Sequence, residues 1–216
     1  MIDQRDAAAV AAQLGREPRG LQAVAHRCPC GLPDVVETAP RLSDGAPFPT
    51  LFYLTCPKAA SAIGTLEASG LMREMTARLA TDPALAEAYA AAHDDYLGRR
   101  DAAARAQGVE PLPAGTQSSG GMPTRVKCLH ALVAHELAVP GANPLGREAL
   151  DALPDWWLTG KCVTVEAASQ TTCQDSQEAV MNADTHGETG EVRGTSPGPG
   201  VRTGRDGRTS REASRS

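Results

Sequence analysis

Short strand-like segments separated by prolines and glycines follow the first helix, and apolar residues later recur with a helical period. An N-terminal helix over 3–14 places Val10 and Leu14 on one face, and the sequence REPRG ends it. Proline and glycine clusters then separate short strand-like segments, which suit a small antiparallel sheet. The predicted strands are 21–27, 34–38 and 50–56.

After the last of these strands the pattern becomes that of amphipathic helices. Gly70 is a residue type that commonly ends helices, and the pair Asp82-Pro83 supplies an N-cap and a proline in the first helical position. The glycine-rich stretch 108–121 predicts a loop. The predicted helices are 58–69, 71–80, 83–106 and 123–138.

These elements predict an α+β fold, in which an antiparallel sheet of about three strands packs against four or more helices. We expect an N-terminal helix or extension over 1–15 and one α+β domain over 16–165. The remaining segment, 166–216, is rich in Thr, Ser, Gly, Glu and Arg. Because so few large apolar residues cannot offset the entropy of ordering, we predict a disordered tail there.

Composition narrows the class of protein. A net charge of −5 argues against nucleic-acid binding, which needs a basic surface. The sequence has no apolar run of about 20 residues, the length that spans a bilayer, and its start lacks the features of a signal peptide. We therefore expect a cytoplasmic protein. In that compartment the six cysteines are expected to be reduced, metal-bound or reactive rather than bridged.

Four cysteines form the strongest chemical pattern. In HRCPCG, Cys28 and Cys30 are two residues apart, so an extended backbone presents both sulfurs on one side. Cys56 ends the third predicted strand and Cys128 lies near the start of the predicted helix over 123–138. Four such thiolates form a tetrahedral zinc site. The competing interpretations are buried core thiols, since free cysteine often packs as a small apolar residue, and thiol redox chemistry.

The histidines are weaker candidates. His130 is a reserve metal ligand, whereas His135 and His26 are predicted to support the site without binding the ion. The sequence HELA lacks the second histidine of a zinc-protease motif, which excludes that class. Cys162 could approach the other cysteines if the end of the domain folds back, and Cys173 falls in the predicted tail.

Basic residues around a predicted helix start favour an anion site. SSGGMPTRVK places two glycines before that helix, and helix starts attract phosphate or carboxylate. A flexible glycine linker ahead of an ordinary helix is the competing interpretation. The candidate cations are Arg27, Lys58, Arg125 and Lys127.

Several longer motifs, in this order, resemble the bacterial and mainly actinobacterial family of domains of unknown function numbered 501. The resemblance covers about residues 16 to 165 and implies no established activity. The motifs are HRCPCGLPDVVETAPRL, PFPTLFYLTCP, LEASGLMREM, GGMPTRVKCLHALVAH, NPLG and the closing WW and CV.

Two hypotheses of function follow from the sequence. The first is a binding or regulatory module, stabilised by zinc on the four cysteines, that has a protein partner. The second is an enzyme, either thiol-dependent or acting on phosphate, that uses Cys28 or Cys30, His130, and an anion site at Arg125 and Lys127.

Overall fold

The computed structural model describes residues 2–164, and its elements confirm the α+β class. The predicted tail, 166–216, lies outside the described residues. The strands are β1 (Leu21–Arg27), β2 (Pro33–Thr38) and β3 (Phe52–Leu54). The helices are α1 (Gln4–Leu14), α2 (Pro57–Ala68), α3 (Leu71–Leu79), α4 (Pro83–Ala106), α5 (Leu129–Ala138) and α6 (Pro144–Asp151).

The sheet is antiparallel throughout, as predicted, and its strands lie in the order β1-β2-β3. Within the central strand β2, Val36 lies opposite Val24 of β1 on one side and Tyr53 of β3 on the other. Val35 and Val36 are both buried, so this strand is covered on both faces. A continuous apolar pair, instead of strict alternation, is the pattern expected of such a strand.

A tight turn joins β1 to β2 and carries two of the cysteines. The backbone N–H of Gly31 donates to the carbonyl of Cys28 at 2.8 Å, and the N–H of Cys28 donates to the carbonyl of Leu32 at 3.0 Å. Gly31 has a φ of 88°, a left-handed conformation that glycine adopts without steric cost. The turn therefore holds Cys28 and Cys30 side by side at the end of β1.

Helix α5 is at the centre of the core. It contacts all three strands as well as α2 and α6, and Leu129, Leu132 and Val133 on it are completely buried. From α4, the Tyr96 hydroxyl accepts the backbone N–H of Leu51 at 2.6 Å. Because aromatic residues are only 3% of the chain, aliphatic side chains on these helices supply most of the buried surface.

Helices α5 and α6 approach each other very closely at Gly146. A Cβ atom at this position would lie 2.8 Å from the carbonyl carbon of Leu132 and 3.1 Å from the Cβ of Glu136. The side chain of Asn143 caps α6 by accepting the N–H of Gly146 at 2.8 Å. Close packing of backbone against backbone is therefore what requires glycine here.

The predicted helix over 123–138 was wrong at its start, because α5 begins only at Leu129. The preceding residues form turns instead. Gly120 and Gly121 have φ values of 75° and 94°, and the N–H of Lys127 donates to the carbonyl of Gly120 at 2.7 Å. Cys128 is consequently the N-cap residue of α5 and not part of its first turn.

The prediction also omitted α6, which is only eight residues long. Its start, Asn143-Pro144, combines an N-cap side chain with a proline in the first turn, the same signal that marked the start of α4. Among the helices of the described part of the chain, none has the length and apolar character needed to cross a membrane.

Candidate metal centre and thiol cluster

Three potential metal ligands meet where the start of α5 lies against α2. Glu67 is in the last turn of α2, Cys128 is the N-cap of α5, and His130 is in the first turn of α5. One ligand atom from each side chain lies within 4.8 Å of the other two. Among residues 2–164, no other set of three or more potential ligands meets this distance condition. We call it the Glu-Cys-His group.

The carboxylate of Glu67 holds the start of α5. Its Oε1 atom accepts the backbone N–H of Leu129 at 2.6 Å and lies 3.1 Å from Nδ1 of His130. The Cys128 side chain makes no capping hydrogen bond, so Glu67 satisfies an N–H that the helix cannot. A carboxylate of the chain itself thus occupies the helix start where the sequence predicted anion binding.

His130 is oriented by hydrogen bonds from both ring nitrogens. Its Nε2 lies 3.2 Å from the carbonyl oxygen of Ala60, and because a carbonyl only accepts, Nε2 carries a proton. The other nitrogen, Nδ1, faces Glu67. The Cys128 side chain, together with Glu67, raises the pKa of His130 to about 9. Metal binding at Nδ1 would therefore displace a proton from this ring.

A cavity of about 360 Å³ opens beside two members of the Glu-Cys-His group. Cys128 and His130 form part of its wall, and Phe52 and Tyr53 of β3 contribute apolar surface. Ser119 supplies a hydroxyl group. A small molecule in this cavity would contact both the sulfur and the imidazole.

The four predicted cysteine ligands separate into two places, so they do not surround one point. Cys28, Cys30 and Cys56 lie together in one buried cluster, whereas Cys128 lies with Glu67. The reason is the position of α2, because Cys56 is its N-cap and Glu67 is in its last turn. Eleven residues at 1.5 Å each put the two ends about 16 Å apart.

Cys162 joins the other three cysteines instead. Its side chain packs against the cluster that contains Cys28 and Cys56, and Nε2 of Gln13 donates to its sulfur at 3.2 Å. We call Cys28, Cys30, Cys56 and Cys162 the thiol cluster. The sequence indicated only that Cys162 could approach these residues if the chain folded back.

Three thiols of the cluster have shifted pKa values, in opposite directions. Burial raises the pKa of Cys28 to about 11 and the pKa of Cys56 to about 12. Burial also acts to raise the pKa of Cys30, but hydrogen bonds from the N–H of Leu32 and from Cys28 outweigh it, so this pKa is lowered. Of the three, Cys30 is the thiol that ionises most readily.

The two histidines predicted to support a metal site lie in different surroundings. Nδ1 of His26 is 2.7 Å from Oδ1 of the buried Asp34, and this hydrogen bond raises the pKa of His26. His135 is completely buried in the core, where its ring stacks on Phe52 and its Nε2 lies 3.0 Å from Asp95. Burial lowers the pKa of His135, so the ring is neutral.

Two of the four predicted anion-binding cations have partners within the chain. Arg27 forms an ion pair with Asp6, with Nη1 and Oδ1 at 2.8 Å. The Nζ atom of Lys58 donates to the carbonyls of Thr159 and Gly160 at 3.0 and 2.9 Å. These contacts tie α1 to the sheet and the segment before Cys162 to α2.

The other two cations, Arg125 and Lys127, are exposed in the turns before α5. Because the helix starts later than predicted, neither side chain lies in its first turn. Arg125 borders a cavity of about 220 Å³ that His93 also lines.

Glu67 was not predicted as a site residue, although the sequence contains a signal for it. A carboxylate in the last turn of a helix is unfavourable, because the helix dipole is negative at that end. Glu67 lies in the last turn of the helix predicted over 58–69, and no basic residue accompanies it in that turn. Its presence there indicates an interaction outside its own helix, which here is with the start of α5.

The fold and the site define a small α+β protein with one group of potential metal ligands and a separate thiol cluster. The family model described as "Protein of unknown function (DUF501)" matches residues 24–151, more than half of the chain. This protein therefore belongs to the DUF501 family, which confirms the resemblance. The matched segment includes the whole Glu-Cys-His group but ends before Cys162. No curated protein and no solved structure matches the chain significantly.

Proposed function

We propose that this protein is a cytoplasmic zinc-binding module that holds the ion through Glu67, Cys128 and His130. The observation that carries the proposal is the meeting of a carboxylate, a sulfur and an imidazole within 4.8 Å. These are the three side-chain ligand types that zinc accepts, whereas magnesium and calcium take oxygen ligands almost exclusively. A mixed set of this kind therefore favours zinc.

The orientation of His130 supports the same conclusion. Histidines that bind metals through one nitrogen usually donate the other N–H to a carboxylate or a backbone carbonyl. The contact of Nε2 with the Ala60 carbonyl provides this arrangement and leaves Nδ1 toward Glu67. The Glu67 carboxylate is in turn held by the backbone N–H of Leu129. Two of the three ligands are thus positioned before an ion binds.

The number of ligands indicates what kind of module this is. Structural zinc sites use four protein ligands, whereas sites that bind a further molecule use three and leave one position open. The cavity beside Cys128 and His130 gives a small molecule access to that position. We infer a regulatory or ligand-binding role at this centre, in which the bound molecule donates an atom to zinc.

The proposed location in the cytoplasm follows from the state of the cysteines. All five cysteines of the described residues are free thiols, and four of them lie close together. Neighbouring thiols persist unoxidised in a reducing compartment. We also propose that a protein partner binds the surface around the Glu-Cys-His group.

An enzymatic function is the second candidate, and the contacts of His130 favour it. A nucleophilic thiol needs an adjacent base, and that base needs a group to orient it. Cys128, His130 and Glu67 have this order of contacts. In the described residues the partners of His130 are on α2 and at Cys128, so an enzyme based on this histidine would use Cys128 as its thiol, rather than Cys28 or Cys30.

Metal analysis of variants tests the proposal. Glu67→Gln keeps an oxygen that can cap α5 but removes the charged ligand, and Cys128→Ser removes the sulfur. We expect each to contain one equivalent of zinc less than the wild-type chain when purified anaerobically. Glu74→Gln, a matched change at an exposed site on α3, should keep the wild-type amount.

The proposal is wrong if both variants bind as much zinc as the wild-type protein. The enzymatic candidate gives a different result, because it needs no metal. In that case Cys128 reacts with iodoacetamide at neutral pH in metal-free protein, and Glu67→Gln slows this reaction without changing the zinc content.

A further inference from the structure

The thiol cluster joins three segments that are distant in sequence. Cys28 and Cys30 come from the β1–β2 turn, Cys56 from the start of α2, and Cys162 from the segment that follows α6. Cys28 and Cys56 are buried in one cluster, and Cys30 and Cys162 pack against it. Four cysteine side chains are thus gathered with Trp156 in one place.

Backbone N–H groups surround these sulfurs in a regular way. The N–H of Cys30 acts to lower the pKa of Cys28, and the N–H of Leu32 acts to lower the pKa of Cys30. At the start of α2, the N–H groups of Lys58 and Ala59 act in the same way on the pKa of Cys56. In each case the donor follows its cysteine by two or three residues. Such donors stabilise negative charge on sulfur, and a thiolate is the form that binds metal.

Buried donors without partners lie at the same place. The indole N–H of Trp156 and the hydroxyl of Thr55 are buried and have no hydrogen-bond partner within residues 2–164. Trp156 is 7% exposed and packs against Cys28 and Cys56, and Thr55 directly precedes Cys56. Most buried polar groups are satisfied. Both donors would be available to negatively charged sulfurs.

We propose that Cys28, Cys30, Cys56 and Cys162 bind one zinc ion as four thiolates, at a site separate from the Glu-Cys-His group. The four thiols release four protons, which leaves a site of charge −2 on binding Zn²⁺. The charged group that acts on this cluster is Asp34, which is paired with His26. The backbone N–H groups and Gln13 supply the remaining stabilisation of the sulfurs.

Binding requires the cysteine side chains to move closer together. In a tetrahedral site with Zn–S bonds of about 2.3 Å, the sulfurs lie roughly 3.8 Å apart, whereas here no three of them lie within 4.8 Å of one another. The four side chains already share one cluster, so the proposal requires them to rotate toward a common point when the ion binds. A closed site of four thiolates has no open position, and its role is structural.

The structural role follows from what the ion would connect. Lys58 already binds the backbone of Thr159 and Gly160, which brings Cys162 back toward α2. Zinc would add a second attachment between this segment and the sheet. Because aromatic side chains are few, such a crosslink would supply stability that the core lacks.

The first test counts zinc in the full chain purified anaerobically. Wild-type protein should contain two equivalents. Cys162→Ser and Cys30→Ser should each contain one equivalent, because each loses the ion of the thiol cluster. Cys128→Ser should also contain one equivalent, because it loses the ion of the Glu-Cys-His group on which the proposed function rests. If Cys162→Ser keeps the wild-type zinc content, the four-thiolate site is refuted, whatever happens in Cys128→Ser. If Cys128→Ser keeps the wild-type zinc content while Cys162→Ser and Cys30→Ser lose zinc, the proposed function fails and the four-thiolate site stands.

A second measurement does not depend on whether the cysteine variants of the thiol cluster fold. Zinc-edge X-ray absorption of Cys128→Ser reports only the ion in the thiol cluster. We expect four sulfur neighbours at about 2.3 Å. A first shell that contains nitrogen or oxygen, or the absence of bound zinc from this variant, overturns the proposal.

Discussion

Replacing Gly146 by alanine tests how closely α5 and α6 pack. The added Cβ atom would overlap the backbone carbonyl of Leu132 and lie 3.1 Å from the Cβ of Glu136. Neither contact involves the end of a flexible side chain, so relief requires α6 to move away from α5. Gly146 is buried at the contact with α5, which leaves little room for such a shift.

The expected change combines two opposite effects. Overpacking of this kind costs about 1–3 kcal/mol, while replacing glycine by alanine inside a helix gains about 0.5–1 kcal/mol. Because the clash is with backbone, we take the overpacking cost near the top of its range and expect a net loss of about 2 kcal/mol for Gly146→Ala. For a domain of this size the melting temperature should fall by roughly 4–8 °C.

Gly98 provides the matched control. It lies in the middle of α4, it is exposed, and a Cβ atom there would meet nothing within 4 Å. Gly98→Ala should therefore show only the helix gain, about 0.5–1 kcal/mol. Urea unfolding followed by circular dichroism measures both variants. If Gly146→Ala is as stable as the wild-type protein, the close crossing of α5 and α6 is refuted.

Three further predictions concern titration and capping. In NMR titrations His26 should titrate above 6.5 and His135 below it, because an ion pair with a buried carboxylate raises the first pKa and burial lowers the second; the reverse order would contradict the structure. Since the pKa of His26 is raised on folding, the stability it contributes is complete below pH 6.5 and is lost as the pH rises through the folded value. The difference in urea midpoint between wild type and His26→Gln should therefore shrink with increasing pH, and a constant difference would count against the ion pair. Asn143→Ala removes the cap of α6 and should cost about 0.5–2 kcal/mol in urea unfolding, whereas an unchanged midpoint would exclude that role.

Local signals account for the parts of the fold that were predicted well. β1 has the predicted bounds, and α4 begins at Pro83 after its Asp82 cap. These elements follow from neighbouring residues in the sequence. The start of α5 does not, because the N–H of Val126 donates to the hydroxyl of Thr76 at 3.0 Å. That contact with α3 favours turns over the helix which the local pattern predicted.

The same distinction applies to the candidate sites. Cys28 and Cys30 lie together because a short turn holds them, and their proximity follows from the sequence itself. Glu67 and Cys162 reach their partners through the packing of α2 against α5 and through the return of the chain after α6. Those contacts join residues separated by 60 or more positions, and no local pattern contains that information.

Helix α2 contributes a residue to each of the two groups, one at either end. A rigid helix transmits a shift along its axis without damping, so a displacement imposed at Cys56 also moves Glu67, about 16 Å away. If an ion at one end moves α2, thermodynamic reciprocity requires the affinities of the two ends to change by the same factor. The length of this helix therefore sets the separation of the two groups, and its rigidity links the position of one group to that of the other.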